Sequence, residues 1–273
     1  MATALVTGAT AGIGNTFARH LAARGDDLVL VARDRDRLNE TAEQLHRAYG
    51  VDVEVLVADL SDEAQLSAVA ERVESADRPI ELLVNNAGFG LHAKLLEADK
   101  LPLQRQAMDV MCWAVLVLSG AAGRAMKARG HGTIINVAST SAWITAGNYS
   151  AIKSWALAYT EGLYNELKGS GVNVSALCPG WVRTEFHQRA GISANLPDIV
   201  WVDIDTLVSE ALADAEKGVV ISIPTFKWKA AIFVAQHGPR SFIRWFSRQL
   251  SSSRHKQHAR RPHLHKQHSQ KAS

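Results

Sequence analysis

Cysteine is almost missing from this sequence. Cys112 and Cys178 are the only two among 273 residues, they lie far apart, and neither sits in a CxxC pair or beside histidine at ligand spacing. A disulfide framework and a zinc centre of ordinary pattern are therefore excluded, and a reducing, cytoplasmic setting is expected. Long hydrophobic runs are lacking too: the longest, Val110–Ala122, is broken by Arg124 and is too short to span a bilayer. The N-terminus has no charged segment followed by an apolar one. Thr3-Ala4-Leu5-Val6-Thr7-Gly8 reads instead as a strand entering a turn, so no secretory signal is expected. Acid is absent from the whole C-terminal region: nothing acidic follows Glu216, while eleven of the 30 Lys and Arg lie from Lys227 onward. Residues 1–223 thus hold 19 cations against 27 acids, a formal charge of −8, and an acidic body of this kind argues against a nucleic-acid-binding surface.

What is present is apolar material in abundance, 47% of the chain, enough for one large α/β domain. Short β-branched runs recur at Leu5–Thr7, Leu28–Ala32, Val53–Ala58, Leu82–Val84, Ile134–Val137, Val172–Leu177 and Val219–Ile223. They show little polar alternation and are separated by stretches long enough for crossover helices. This predicts a single Rossmann-type, doubly wound parallel sheet of about seven strands, with helices on both faces. Ile13, Phe17, Ala18 and Leu21 mark one helix, stopped by Gly25, and Asp62 is placed to cap another. Residues 1–225 form the expected domain. Residues 226–250 read as an aromatic and basic helical extension, and residues 251–273, rich in Ser, His, Lys, Arg and Gln, as a disordered tail.

The first strand runs into Thr7-Gly8-Ala9-Thr10-Ala11-Gly12-Ile13-Gly14 and then a helix. Glycines there let the backbone turn tightly and approach a pyrophosphate, whose charge faces the positive helix end. The spacing is GxxxGxG, and no Gly-Lys-Ser/Thr follows, which excludes a Walker A loop. Taken alone, the loop also reads as a plain strand-to-helix turn. The second strand ends at Ala32-Arg33, where an acid would bind the ribose 2′-hydroxyl of NAD. A guanidinium there matches a 2′-phosphate in charge and fork geometry, favouring NADP(H), although Arg33 also opens a solvated run of alternating charge.

Three further segments follow: Asn85-Asn86-Ala87-Gly88, then Ser139 with Tyr149-Ser150-Ala151-Ile152-Lys153, then Pro179-Gly180 with Thr184. In this order and spacing the chain resembles the classical short-chain dehydrogenase/reductase family over about residues 2–225. The resemblance implies a hydride-transferring enzyme. Gly8, Thr10, Gly12, Ile13 and Gly14 would cradle the cofactor's phosphates, Asp59 would contact its adenine, and Asn86, Ala87 and Gly88 would line its cleft. Pro179, Gly180 and Thr184 would hold the nicotinamide end. The apolar helix around Val110–Ala122 and the helix after Lys153 would pair across a homodimer or homotetramer interface.

The chemistry also stands on its own terms. Reducing a carbonyl by hydride leaves an alkoxide that needs a proton, and a phenol supplies it if a cation makes the phenolate accessible. Tyr149 and Lys153, four residues apart on one helix face, are that pair, and Lys153 would also reach the nicotinamide ribose; Ser139 would polarise the carbonyl. Ser150-x-x-Lys153 fits an acylase motif whose partner motifs are missing, and no GxSxG elbow occurs. His92, His131 and His187 lack ligand spacing, so no metal is expected. Met111 falls where the family carries a catalytic Asn, and the Ser139–Tyr149 segment is short for the family. A catalytically weak NADPH-binding or membrane-associated protein is therefore the rival reading. Phe89, Trp143, Trp181, Phe186 and Trp201 border the expected cleft and suit a bulky apolar substrate, or serve as ordinary packing. Between Phe226 and Leu250, aromatics interleave with Lys227, Lys229, Arg240, Arg244 and Arg248, a pattern for subunit contact, core packing or weak contact with a membrane surface.

Overall fold

The computed structural model describes residues 2–91, 93–182, 200–245 and 247–248. Six strands carry the fold: β1 Thr3–Thr7, β2 Asp27–Ala32, β3 Val53–Val57, β4 Ile80–Asn85, β5 Gly132–Val137 and β6 Val172–Leu177. With a short edge strand, β9 Ile221–Ser222, they make a parallel sheet in the order β3-β2-β1-β4-β5-β6-β9. The expected Val219–Ile223 strand is trimmed because Gly218, in the left-handed region at φ 71°, still belongs to the preceding turn. A two-stranded pair, β7 Trp181–Val182 with β8 Trp201–Val202, was not expected and stands apart from the main sheet.

Strands with both faces apolar need cover on both sides. On one face lie α1 (Gly12–Ala23), α2 (Arg35–Tyr49) and α7 (Ile204–Glu216), burying Phe17, Leu21, Leu38 and Leu212 against Val6 and Leu28. On the other lie α3 (Glu63–Glu74), α5 (Ala114–Arg129) and α6 (Gly147–Leu167), packing Leu66, Val69, Leu118 and Leu163 against Leu5 and Leu83. Full burial of one such side chain is worth about 1.5–3 kcal/mol. Asp62 caps α3 by accepting from Gln65 N at 2.9 Å, and Asp34 caps α2 from Arg37 N at 3.1 Å.

The helix α4 (Leu101–Met108) passes through a π turn at Asp109–Trp113 directly into α5. The resulting run over residues 98–129 is long and apolar enough, by length and composition, to cross a membrane, although the uninterrupted apolar stretch inside it is not. Half of its most apolar window is buried within the fold, where α5 packs on α3 and the sheet.

Below the C-terminal edge of the sheet lies a fully interior polar network. Asn85 Nδ2 donates to Ser119 Oγ at 3.0 Å and to Asn136 Oδ1 at 2.9 Å; Ser119 Oγ donates to the same Oδ1 at 3.1 Å. Asn136 Nδ2 then donates to Thr160 Oγ1 at 3.1 Å. Two strands and two helices are thereby pinned in one relative position, in a low dielectric where an orphaned amide is costly. Asn136→Leu, close to it in size, removes three buried hydrogen bonds, leaving Asn85 and Ser119 bonded to each other and Thr160 to the Ala156 carbonyl, and is expected to lower unfolding free energy by about 3 kcal/mol. Urea denaturation checks this, and a loss below about 1 kcal/mol would show that water already serves these groups.

Candidate active site

The winding reverses between β1 and β4, so the connections leaving their C-terminal ends run to opposite faces of the sheet and leave a crevice. Thr7 and Asn86 fasten this seam. Thr7 Oγ1 accepts from the N–H groups of Asn86 and Ala87 at 2.9 and 3.0 Å, and Asn86 Nδ2 donates to the carbonyls of Thr7 and Gly8 at 2.9 and 3.3 Å. Gly8 (φ 67°) and Gly12 (φ 53°) hold left-handed turns, and at Gly14 a methyl group would run into the Gly8 carbonyl and Asn86 Nδ2. The loop with Thr10 and Ile13 is thus drawn close to the seam, and α1 begins at Gly12 with no side chain capping it. Its first N–H groups are left for an anion.

Beyond β2 and β3, Arg33 and Asp59 come together, Nη1 to Oδ2 at 3.7 Å, with the Arg33 side chain 67% exposed. Burial raises the Asp59 carboxyl, but hydrogen bonds from Ser61 Oγ and N, at 2.7 and 2.9 Å, and the Arg33 charge outweigh it and hold the pKa low. Arg37, which no motif in the sequence singles out, folds back from α2 so that Nη2 donates to the Thr10 carbonyl at 3.2 Å. A second cation therefore stands between the glycine loop and Arg33. Only its place in the first turn of α2, four residues past Arg33, could have signalled it.

Ser139 leaves the end of β5 and caps a one-turn helix, Thr140–Trp143, accepting from Ser141 N at 3.1 Å. Thr140 N donates to the Pro179 carbonyl at 3.0 Å, which ties this loop to the end of β6. Tyr149 lies in the first turn of α6, half-buried, with Lys153 one turn on. The Lys153 side chain is buried: Nζ donates to the Val137 carbonyl at 2.7 Å and lies 5.8 Å from the Tyr149 ring centre. Burial pulls its pKa down to about 8, with the thiols of Cys112 and Cys178 close enough to feel its charge. Burial likewise pushes those thiols up, to about 11 and about 12.

This arrangement is matched by the family model for short chain dehydrogenases over residues 2–194. The chain belongs to the short-chain dehydrogenase family. It is accordingly an NAD(P)-dependent oxidoreductase of the alcohol and carbonyl class. A galactitol 2-dehydrogenase (L-tagatose-forming) from Cereibacter sphaeroides is 39% identical over 208 residues, covering 74% of this chain and 80% of the relative. The structure of a short-chain dehydrogenase from Sphingobium yanoikuyae, in complex with NADPH, is 35% identical with a TM-score of 0.78, covering 86% of this chain and 94% of the other. A bulky-bulky ketone specific alcohol dehydrogenase from Comamonas testosteroni, 27% identical with a TM-score of 0.74, covers 97% and 96%.

Within this short-chain dehydrogenase, Met111 sits in the π turn, 1% exposed, packed with Ala107 and Ile152 beside Phe89, Cys112 and Tyr149. Gly88 allows this, since a Cβ there would come within 3.0 Å of Met111 Sδ. Of the aromatics, Phe89 joins this cluster with Tyr149, whereas Trp143 packs against Ala138, Ala156 and Cys178. Trp181 and Trp201 meet edge to face at 6.0 Å, and Trp201 is buried, so this pair braces β7 against β8. Thr184, Phe186, His92 and His187 lie outside the described residues. Trp228, assigned by sequence to the C-terminal extension, lies against Gly180, where any side chain would strike its indole, and donates from Nε1 to the Val200 carbonyl at 3.3 Å.

The buried lysine has a pH signature. Its pKa is about 8 in the folded chain against 10.5 unfolded, so between those values the unfolded chain binds more protons and stability rises with pH. Relative to Lys153→Met, the wild-type apoprotein is expected to gain about 3 kcal/mol from pH 7 to pH 10.5. Urea unfolding of both proteins across that range measures it. A constant difference would mean that the ammonium is hydrated.

Proposed function

We propose that the protein is an NADP(H)-dependent oxidoreductase that interconverts a carbonyl and an alcohol on a hydrophobic small molecule, with Tyr149 as general acid and base. The observation that carries this reading is the Tyr149–Lys153 pair, its Nζ 5.8 Å from the phenol ring, at the same sheet edge as the glycine loop. Gly8, Gly12 and Gly14 would receive the pyrophosphate, Asn86, Ala87 and Gly88 would line the cleft, and Arg33 with Arg37 would face a 2′-phosphate. The bound nicotinamide supplies or accepts the hydride. Ser139 Oγ orients the substrate oxygen and polarises it. Tyr149 passes its phenolic proton to that oxygen in the reducing direction and recovers it in the other. Lys153 keeps its charge at neutral pH, favours the phenolate and reaches the ribose.

NADP(H) preference is supported by the exposed Arg33 guanidinium and by the NADPH carried in the Sphingobium structure. The names of the relatives run from a polyol to bulky ketones, so the apolar substrate rests on the aromatics bordering the cleft, of which Phe89 stands half-buried in the cluster that holds Tyr149. We assign the activity to a homodimer or homotetramer in the cytoplasm. Supporting this are the groove between α5 and α6, lined by Leu116, Gly120, Tyr159 and Gly162, with Trp113 exposed beside it, and two free thiols. The rival, a binding protein with weak turnover, is favoured by one feature: Met111 offers no polar side chain to hold a relay water.

NADPH oxidation against a panel of aromatic, steroidal and lipid-derived ketones tests the proposal. Tyr149→Phe is expected to lower kcat by about 10²–10⁴-fold while the NADPH dissociation constant moves by less than about threefold. Binding without turnover on any ketone would favour the rival. Arg33→Asp should weaken NADPH about ten- to a hundredfold and leave NADH nearly unchanged. A wild type that prefers NADH removes the cofactor assignment.

A further inference from the structure

Residues 226–245 present apolar side chains to the outside. In α8 (Phe226–His237) only Ile232 is buried, while Phe226 is 84%, Phe233 62% and Val234 58% exposed. The helical residues 240–245 and 247–248 bury Ile243 and Ser247 and expose Phe242 and Trp245, whose rings lie 5.9 Å apart. This face is held firmly by the body. Ser247 Oγ accepts from Thr145 N at 3.0 Å, Lys227 Nζ donates to the Trp201 carbonyl at 3.3 Å, and Trp228 bonds the Val200 carbonyl. Interleaved with the rings along the chain are Lys229, Arg240, Arg244 and Arg248, exposed and without an ion pair among the described residues.

We propose that this face docks on an anionic lipid bilayer, with Phe233, Phe242 and Trp245 entering the headgroup level and the flanking cations meeting lipid phosphates. The charges favour a bilayer over a second copy paired face to face. A second copy pairing through the same face about a two-fold axis would set cations against cations, with no acid after Glu216 to relieve them. A bilayer supplies hydrocarbon for the rings and anions for the Lys and Arg together, and aromatic side chains favour that boundary. The chain then continues past residue 248 with six more Lys and Arg, five His and no acid, a second electrostatic signal.

The test is co-sedimentation of the full chain with vesicles of phosphatidylcholine alone or mixed equally with phosphatidylglycerol. It is read without substrate and so stands apart from the catalytic reading. Partitioning should favour the anionic vesicles by at least about tenfold and fall as salt is raised. The double variant Phe242→Ser, Trp245→Ser should lose about tenfold of that binding while its mass on size-exclusion chromatography stays that of the wild type. Arg240→Gln with Arg244→Gln should flatten the salt dependence. No binding, equal binding to both vesicles, or serine variants that bind like wild type would overturn the proposal. A drop in oligomeric mass in the serine variant would overturn it in favour of a second copy.

Discussion

The site depends on the seam between β1 and β4. A parallel sheet whose winding reverses sends the connections of two neighbouring strands to opposite faces, which exposes backbone groups at those strands' C-terminal ends. Thr7 and Asn86 close that seam with side-chain hydrogen bonds in both directions. Because Asn86 also holds the Gly8 carbonyl, the glycine loop and the start of α1 inherit their position from the same joint. The network of Asn85, Ser119, Asn136 and Thr160 repeats the device one strand over, fixing the level of β5 and α6 and hence of Ser139, Tyr149 and Lys153.

Against this firm base, Lys153 is a deliberate weakness. An ammonium taken out of water and given one carbonyl lowers stability at neutral pH, and its lowered pKa reports the strain. The same desolvation makes its charge act strongly on the adjacent phenol. The neighbouring thiols do not neutralise it, since burial keeps both protonated. Under the proposed mechanism, stability sacrificed at one residue is the source of reactivity at another.

The main sheet was legible because strands buried on both faces leave unmistakable β-branched runs, and Asp62 announced its helix because capping is a local interaction. The Trp181–Val182 and Trp201–Val202 pair was not legible: two-residue strands have no period, and they exist through a long-range contact between indoles. Arg37 was hidden in a run of alternating charge, where only its return to the Thr10 carbonyl sets it apart. For Trp143 and Trp201 the sequence leaves cleft lining and ordinary packing equally open, because an indole's size suits both. Of the motif residues, Gly8, Asn86, Ser139 and Pro179 follow strand ends whose order the sheet fixes, while Tyr149 and Lys153 lie on α6.

The contact between Gly180 and Trp228 links two positions that are far apart in the chain. Neither can change freely alone. A side chain at 180 is barred while the indole remains, and a smaller residue at 228 leaves the glycine without its cover. Divergence at this corner must therefore pass through paired replacements, so the C-terminal extension is constrained to evolve in step with the strand end it covers.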